Sequence, residues 1–252
     1  MTSENEKDEQ RLYHDLAWVW PIISPPEDYI EEAELIAKSI LKASKIPVKT
    51  LLNLGCGGGH EDYTLKKYFT ITGVDVSENM LEIARNLNPE NTYCQGDWKT
   101  VSLNKLFDSV IATSLIYVKS EEELRITFLN VIKHLKPGGV FITFAEKLKG
   151  SFQQNDTICS THKKDDVEIT FLENYYDPDP SGTILEATFI YLIRRNGKLD
   201  VQKDSHLCGI FPLDTWLEIL KEVGFDVETK IVKLSVATVK ESFPMLVCTK
   251  PL

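Results

Sequence analysis

The stretch Lys49-Thr-Leu-Leu-Asn-Leu-Gly-Cys-Gly-Gly-Gly-His60 decides how this chain folds. Residues 49–54 form a short apolar run suited to a strand buried on both faces. The run enters a segment where Gly55, Gly57, Gly58 and Gly59 let the backbone turn tightly and let a ligand approach it. Residues 60–69 then read as a helix, whose first N–H groups are available to an anionic group. Strand, glycine turn and helix in this order make the ligand-binding joint of an open α/β sheet.

The alternation continues beyond the joint. Residues 70–76 read as a second strand with Asp75 near its end, 78–87 as a helix and 91–95 as a third strand. A fourth strand at 107–112 and a helix at 121–134 follow, then the turn Lys136-Pro-Gly-Gly139 and a fifth strand at 140–144. Regular β-α alternation predicts a parallel sheet with helices on both faces. From residue 148 the rhythm breaks. Residues 150–166 are polar and read as a loose loop, and strand-like stretches follow at 167–176, 183–195 and 199–211. Asn196-Gly197 between the last two is a strong hairpin signal, which makes this part an antiparallel insertion. A helix at 212–223 stops at Gly224, as at a C-cap, and strands at 227–234 and 245–249 close the chain as a hairpin. On the other side of the joint, residues 31–43 have the apolar spacing of an amphipathic helix. Residues 12–29, rich in aromatics and proline, read as a short packing helix halted by Pro25-Pro26. A single core is expected.

Length and composition set limits on function. With 252 residues and 42% apolar content, the chain can bury one α/β domain with an insertion. No apolar run approaches the roughly 20 residues that span a bilayer. The segment Met1 to Arg11 is polar and acidic, unlike a secretory leader, so the expected location is cytoplasmic, away from membranes. A net charge of −10, with basic residues only in doublets such as Lys66-Lys67 and Arg194-Arg195, argues against nucleic acid as a partner. Cys56, Cys94, Cys159, Cys208 and Cys248 are scattered singly, the pattern of neither a disulfide framework nor a zinc cluster, and no metal site is expected.

Spacing narrows the ligand. A dinucleotide fold uses G-x-G-x-x-G, and counted from Gly55 the third glycine position falls on His60, which disfavours a nicotinamide-dependent oxidoreductase. The chain has G-x-G-x-G instead. Asp75, about twenty residues beyond the first glycine, is placed to accept from both hydroxyls of a ribose. Asp97 after the third strand can accept from an adenine amino group, and Trp98 can stack on the ring.

Leu52-Asn-Leu-Gly-Cys-Gly-Gly-Gly59, Gly73-Val-Asp-Val-Ser-Glu-Asn-Met-Leu81, Gln95-Gly-Asp97, Phe107-Asp108 and Leu135-Lys-Pro-Gly-Gly-Val140 follow one another in order. Together they resemble the successive motifs of class I S-adenosylmethionine (SAM)-dependent methyltransferases over residues 45–145. The flanks resemble the subgroup with small-molecule substrates, such as sugar and amino-acid N-methyltransferases. The resemblance implies a Rossmann-like, seven-stranded, mostly parallel sheet with an antiparallel last strand. It divides the chain into an N-terminal helical lid (1–45), a SAM-binding core (46–147 and 212–252) and an antiparallel β insertion over the acceptor site (148–211). It implies a cofactor shell of Asn53, Gly55, Cys56, Gly57, His60, Asp75, Val76, Met80, Gly96, Asp97, Trp98 and Thr113. One position departs from the family, which often has an acid two residues before the first glycine. Asn53 stands there and brings no charge near the sulfonium.

Methyl transfer from a sulfonium is an in-line displacement, accelerated largely by alignment and by exclusion of water. An amine acceptor must be neutral, and a hydroxyl acceptor gains from a base. His206, two residues after Asp204 on a predicted strand, shares a face with that carboxylate and is a candidate base. Tyr13 in the lid and Tyr117 after the fourth strand are further candidates, with Glu173, Tyr175 and Tyr176 lining the acceptor pocket. The expected activity is methylation of a small-molecule acceptor at nitrogen or oxygen. The alternatives are a SAM-binding accessory protein without turnover and a protein methyltransferase drawing a basic partner to its acidic surface. Monomer and homodimer remain equally open.

Overall fold

The computed structural model describes residues 9–145, 147–235 and 242–252, so most of the polar leader lies outside the described residues. In chain order the strands are β1 (Thr50–Leu54), β2 (Thr70–Asp75), β3 (Thr92–Gln95), β4 (Phe107–Ile111) and β5 (Leu135–Phe144). Next come β6 (Asp156–Lys164), β7 (Val167–Tyr176), β8 (Ile184–Arg195), β9 (Lys198–Gly209), β10 (Asp226–Val232) and β11 (Phe243–Thr249). The helices are α1 (Trp20–Ile23), α2 (Ile30–Ala43), α3 (Asp62–Leu65), α4 (Glu78–Leu87), α5 (Glu121–His134) and α6 (Leu213–Val223).

Seven strands make the central sheet in the order β3-β2-β1-β4-β5-β11-β10. Strand β11, the last in the chain, runs antiparallel to both of its neighbours, and the other pairings are parallel. Successive residues of a strand point to opposite faces, and each face finds its own helices. Leu52, Val110 and Phe141 pack with Phe128 of α5 and Trp216 of α6. Leu51, Ile111 and Ile142 pack with Ala33, Ile36 and Ile40 of α2. The chain therefore reverses direction across the sheet between β1 and β4, where a crevice opens at the strand C-termini.

The remaining strands β6-β7-β8-β9 form a separate antiparallel sheet, with two-residue turns at 165–166 and 196–197 and a longer loop at 177–183. Asn196 and Gly197, with φ of 51° and 76°, make the β8–β9 turn that their sequence predicts. Leu148 and Phe211 pair where the chain enters and leaves this region.

Five expectations need correction. Residues 150–166 are not a loose loop: β6 occupies most of them as an edge strand paired with β7 from Asp156↔Tyr175 to Lys164↔Val167. Its sequence, Asp-Thr-Ile-Cys-Ser-Thr-His-Lys-Lys, has one strongly apolar residue, so pairing with β7 rather than patterning makes it a strand. The Lys136-Pro-Gly-Gly139 turn lies inside β5, where the register jumps from Phe107↔Leu135 to Ser109↔Val140 and Gly138 takes φ 78°. The helix over 60–69 is α only at α3. Around it hydrogen bonds alternate between i−3 and i−4 partners, as for Thr64 and Leu65 on the Glu61 carbonyl. Residues 12–29 are not one helix but 3₁₀ turns and the single α-turn α1, because Pro21, Pro25 and Pro26 remove N–H donors; Pro26 begins a turn rather than stopping one. The core is not single either. Leu12, Leu16, Val19 and Ile23 pack on Phe171, Phe189, Tyr191 and Ile193, an apolar cluster between the N-terminal segment and the second sheet.

Candidate active site

A cavity of about 300 Å³ opens at the C-termini of β1, β2, β3 and β4. Gly55, Cys56 and Gly57 line it from the loop after β1, Asp75 and Val76 from the end of β2, Asp97 and Trp98 from beyond β3, and Thr113 from beyond β4. Met80 of α4 and His60 are on the wall as well. The expected cofactor residues thus converge, with two exceptions described below.

Gly55 shows why the loop needs glycine. Its φ is 77°, and a Cβ there would lie 2.9 Å from the Trp98 ring. The indole rests against the bare backbone and forms one wall of the cavity. Its position is held from behind, where Asn130 donates to the Trp98 carbonyl at 2.7 Å. The indole N–H has no partner in the protein. Asp97 accepts from the Lys99 N–H at 2.7 Å, and the Lys99 ammonium reaches Glu123 at 3.1 Å. Lys99 and Glu123 also line the cavity, and neither carries a motif that sequence reading would single out.

Asp75 closes the turn. One carboxyl oxygen accepts from Gly57 N–H and the other from Ser77 N–H, both at 2.9 Å. Burial pushes its carboxyl above the ordinary range, while those N–H groups and that of Val76 pull the other way. Ser77 then caps α4, accepting from Met80 N–H, and its hydroxyl donates to the Tyr13 carbonyl. The N-terminal segment is thereby stapled beside the cavity, and Asn79 donates to the His14 carbonyl at 2.9 Å.

A second cavity of about 340 Å³ adjoins the first, and Tyr13, Trp20, Tyr29, Glu61, Thr113 and Tyr117 line both. At this junction the Tyr13 hydroxyl donates to Tyr117 at 3.0 Å. Burial raises both phenols above their usual range, so each remains protonated at neutral pH. Glu173 and Tyr175 of β7 face the second cavity, where the Tyr175 hydroxyl donates to Glu173 at 2.8 Å. Burial likewise raises the Glu173 carboxyl. Tyr176 is 41% exposed and lines neither cavity, because adjacent residues of a strand face opposite sides.

His206 also differs from expectation. It is fully buried behind the junction, with its ring 5.6 Å from that of Tyr117 and 5.9 Å from that of Tyr13. It bonds to Asp204 at 2.7 Å as the strand spacing implies, but it is on neither cavity wall. A base must reach the reacting atom, and here the tyrosines stand in between. Asp204 instead accepts from Arg11 N–H at 2.9 Å and Leu12 N–H at 2.7 Å. The pair anchors the segment that carries Tyr13.

The two other exceptions are Gly96 and Asn53. Gly96 lies behind Asp97, with Val101 filling the space where a Cβ would go. Asn53 is buried and turned away from the cavity, donating to Asp62 at 2.9 Å and to Glu61 at 3.4 Å. The acids that sequence reading missed are therefore those at 61 and 62. Asp62 is wholly buried, accepts from Tyr93 at 2.9 Å, and is pushed up to about 7, first by burial. Glu61 faces the junction and accepts from the Thr113 hydroxyl at 2.6 Å. Burial raises its carboxyl too. Among the described residues no group of three or more histidines, cysteines and acids is arranged to hold a metal, and no helix is long and apolar enough to cross a membrane.

Comparison with known proteins agrees with this geometry. Residues 51–139 match the methyltransferase domain family. The chain is 34% identical over 119 residues to dTDP-3-amino-3,4,6-trideoxy-alpha-D-glucopyranose N,N-dimethyltransferase of Streptomyces venezuelae, covering 46% of this chain and half of that relative's length. The crystal structure of DesVI of Streptomyces venezuelae superposes with a TM-score of 0.80 at 22% identity, covering 99% of both chains. SAM-bound CalS10, an amino pentose methyltransferase from Micromonospora echinaspora, gives a TM-score of 0.77 at 20% identity, covering 88% of this chain and 91% of that one. At such identities the structures speak for the fold alone. The family match thus falls on the residues that carry the glycine loop, Asp75, Asp97 and Trp98, and residues 51–139 are similar to a methyltransferase domain.

Proposed function

We propose that the chain transfers the methyl group of SAM to a small-molecule acceptor at nitrogen or oxygen. The observation that carries this reading is the junction of the two cavities. One cavity is built on the glycine loop and Asp75, the other is walled by the second sheet, and the two share the Tyr13–Tyr117 pair. The residues fit the cofactor: the loop is open where a Cβ at Gly55 would close it, and Trp98 and His60 hold polar atoms without partners. The cofactor supplies an electrophilic methyl on a sulfonium.

The protein's share is placement and dryness. The Gly55–Gly57 turn and Asp75 hold the methionine and ribose parts, and Asp97 with Trp98 holds the adenine. Tyr13 and Tyr117, kept as neutral phenols, orient the acceptor by hydrogen bonding rather than by removing a proton. Asp204 and His206 act through Tyr13 by anchoring residues 11 and 12. The described residues of 1–45 and of 148–211 together cover a core formed by the described residues of 46–147 and 212–252. Nitrogen is the favoured acceptor atom, since the similar sugar enzymes are named N,N-dimethyltransferases and the second cavity is rich in carboxyls. The enzyme works in the cytoplasm without nucleic acid, in keeping with its charge of −10.

The test is turnover. Purified chain is incubated with SAM and a panel of amino sugars, other amines and phenols, and S-adenosylhomocysteine is measured. At least one acceptor should raise its formation about tenfold or more above the acceptor-free rate, and the Asp75→Ala variant should abolish that gain. Saturable SAM binding without turnover on any member of the panel would favour the accessory reading.

A further inference from the structure

The methyl donor is a cation, and an amine acceptor is one until it loses its proton. Both meet where the two cavities join, yet position 53 holds no acid. The structure brings a carboxyl there from another element. Glu61 is 9% exposed and lines both cavities. It accepts from Thr113 and from Asn53, and it shares the wall of the second cavity with Glu32 of α2.

The neighbouring residue supplies an independent sign of a ligand. His60 is 3% exposed and lines the first cavity, and its Nδ1 has no hydrogen-bond partner. Burial holds the imidazole neutral, with its value lowered to about 4, against a smaller opposing pull from the Ser24 backbone. In a neutral ring an unpaired Nδ1 can present a bare acceptor lone pair, and an unpaired polar atom is costly in a buried group unless a ligand meets it. Among the described residues lining the second cavity, Asp28, Glu32, Glu61 and Glu173 face one ammonium, that of Lys147. A buried carboxyl at Glu61, a half-buried one at Glu32 and an unfilled polar atom at His60 together suit a group that carries positive charge and several N–H donors.

We propose that Glu61, with Glu32 and His60 Nδ1, forms a binding site for an alkylammonium group at the junction of the two cavities. The inference rests on the SAM reading above. The ammonium has two possible sources: the α-amino group of the cofactor's methionine end, or a nitrogen held at the transfer position by an amine acceptor.

Three nucleosides separate the sources. S-adenosylhomocysteine carries the α-ammonium, sinefungin carries it together with a second ammonium where the methyl would sit, and 5′-methylthioadenosine carries neither. Each is titrated calorimetrically into the full chain, as wild type, Glu61→Gln and Glu32→Gln. If the site holds the α-ammonium, Glu61→Gln weakens S-adenosylhomocysteine and sinefungin alike by about tenfold and leaves 5′-methylthioadenosine unchanged. If it holds the transfer-position nitrogen, sinefungin alone weakens by about tenfold. The proposal is overturned if all three affinities stay within about twofold of wild type, or if all three fall in parallel. A wild type that binds no S-adenosylhomocysteine removes the cofactor reading and this site with it; a wild type that binds normally beside indifferent variants removes this site alone. Glutamine keeps an acceptor for Thr113, and Glu32→Gln repeats the test from a different element should Glu61→Gln fail to fold.

Discussion

At Asp62 a carboxyl is held between Asn53 and Tyr93 in full burial, directly beneath the glycine loop. Its folded value near 7 exceeds the roughly 4 of an unfolded aspartate. The stability it contributes is therefore complete below about pH 4 and is lost as pH rises through about 7. Asp62→Asn cannot titrate. Between pH 5 and 8 the wild type should lose on the order of 1–3 kcal/mol relative to this variant, read from denaturant midpoints at each pH. A difference independent of pH would mean that Asp62 is ionised throughout. Position 53 shows what sequence reading gets right and wrong at this scale. Asparagine in place of the usual acid is plain from the motif. That its amide holds Asp62, and that Glu61 faces the cavity instead, depends on how the turn after the glycines is wound. Two adjacent acids carry no periodic signal that would say which one points in.

Among the elements, β9 sits unusually close to the loop after β4. A Cβ on Gly209 would lie 1.7 Å from the Val118 carbonyl oxygen, a collision with backbone that no side chain can relieve. Gly209→Ala should destabilise the chain by about 1–3 kcal/mol, seen as a lowered thermal midpoint, and should weaken S-adenosylhomocysteine binding by shifting Tyr117. An unchanged midpoint would show that β9 and this loop are not packed as described. The elements legible in the sequence were those with a strong local pattern: β1, β2, α4, α5 and the Asn196-Gly197 hairpin, where apolar spacing, caps and turn residues agree. Those that were not legible take their form from partners. Strand β6 is polar and is held by β7, and β5 begins at Leu135 because Gly138 bends within the strand instead of before it. The N-terminal turns owe their shape to three prolines and to the sheet they pack on.

Across the whole molecule, the N-terminal segment joins the two sheets over the cavities. It is tied to the central sheet's crevice through Ser77 and Asn79, and to the second sheet through Asp204. Asp204→Ala removes both N–H acceptors and leaves His206 buried without its partner. The segment should then be cut faster at Arg11 by trypsin, with S-adenosylhomocysteine affinity reduced roughly ten- to hundredfold, while far-ultraviolet circular dichroism stays that of the wild type. Equal cleavage rates would show that the anchor does not hold the segment. The succession of motifs and the seven-stranded architecture could be read at this scale, since they are written locally along the chain. The cavity junction could not, because it is assembled from residues more than a hundred positions apart, such as Tyr13 and Tyr117. The central claim is that the crevice is a SAM site. It is tested most directly by calorimetric titration of the purified chain with S-adenosylhomocysteine, beside Asp75→Asn. The account predicts one saturable site, weakened roughly ten- to hundredfold in the variant. No saturable binding by the wild type, or equal binding by both proteins, would contradict it.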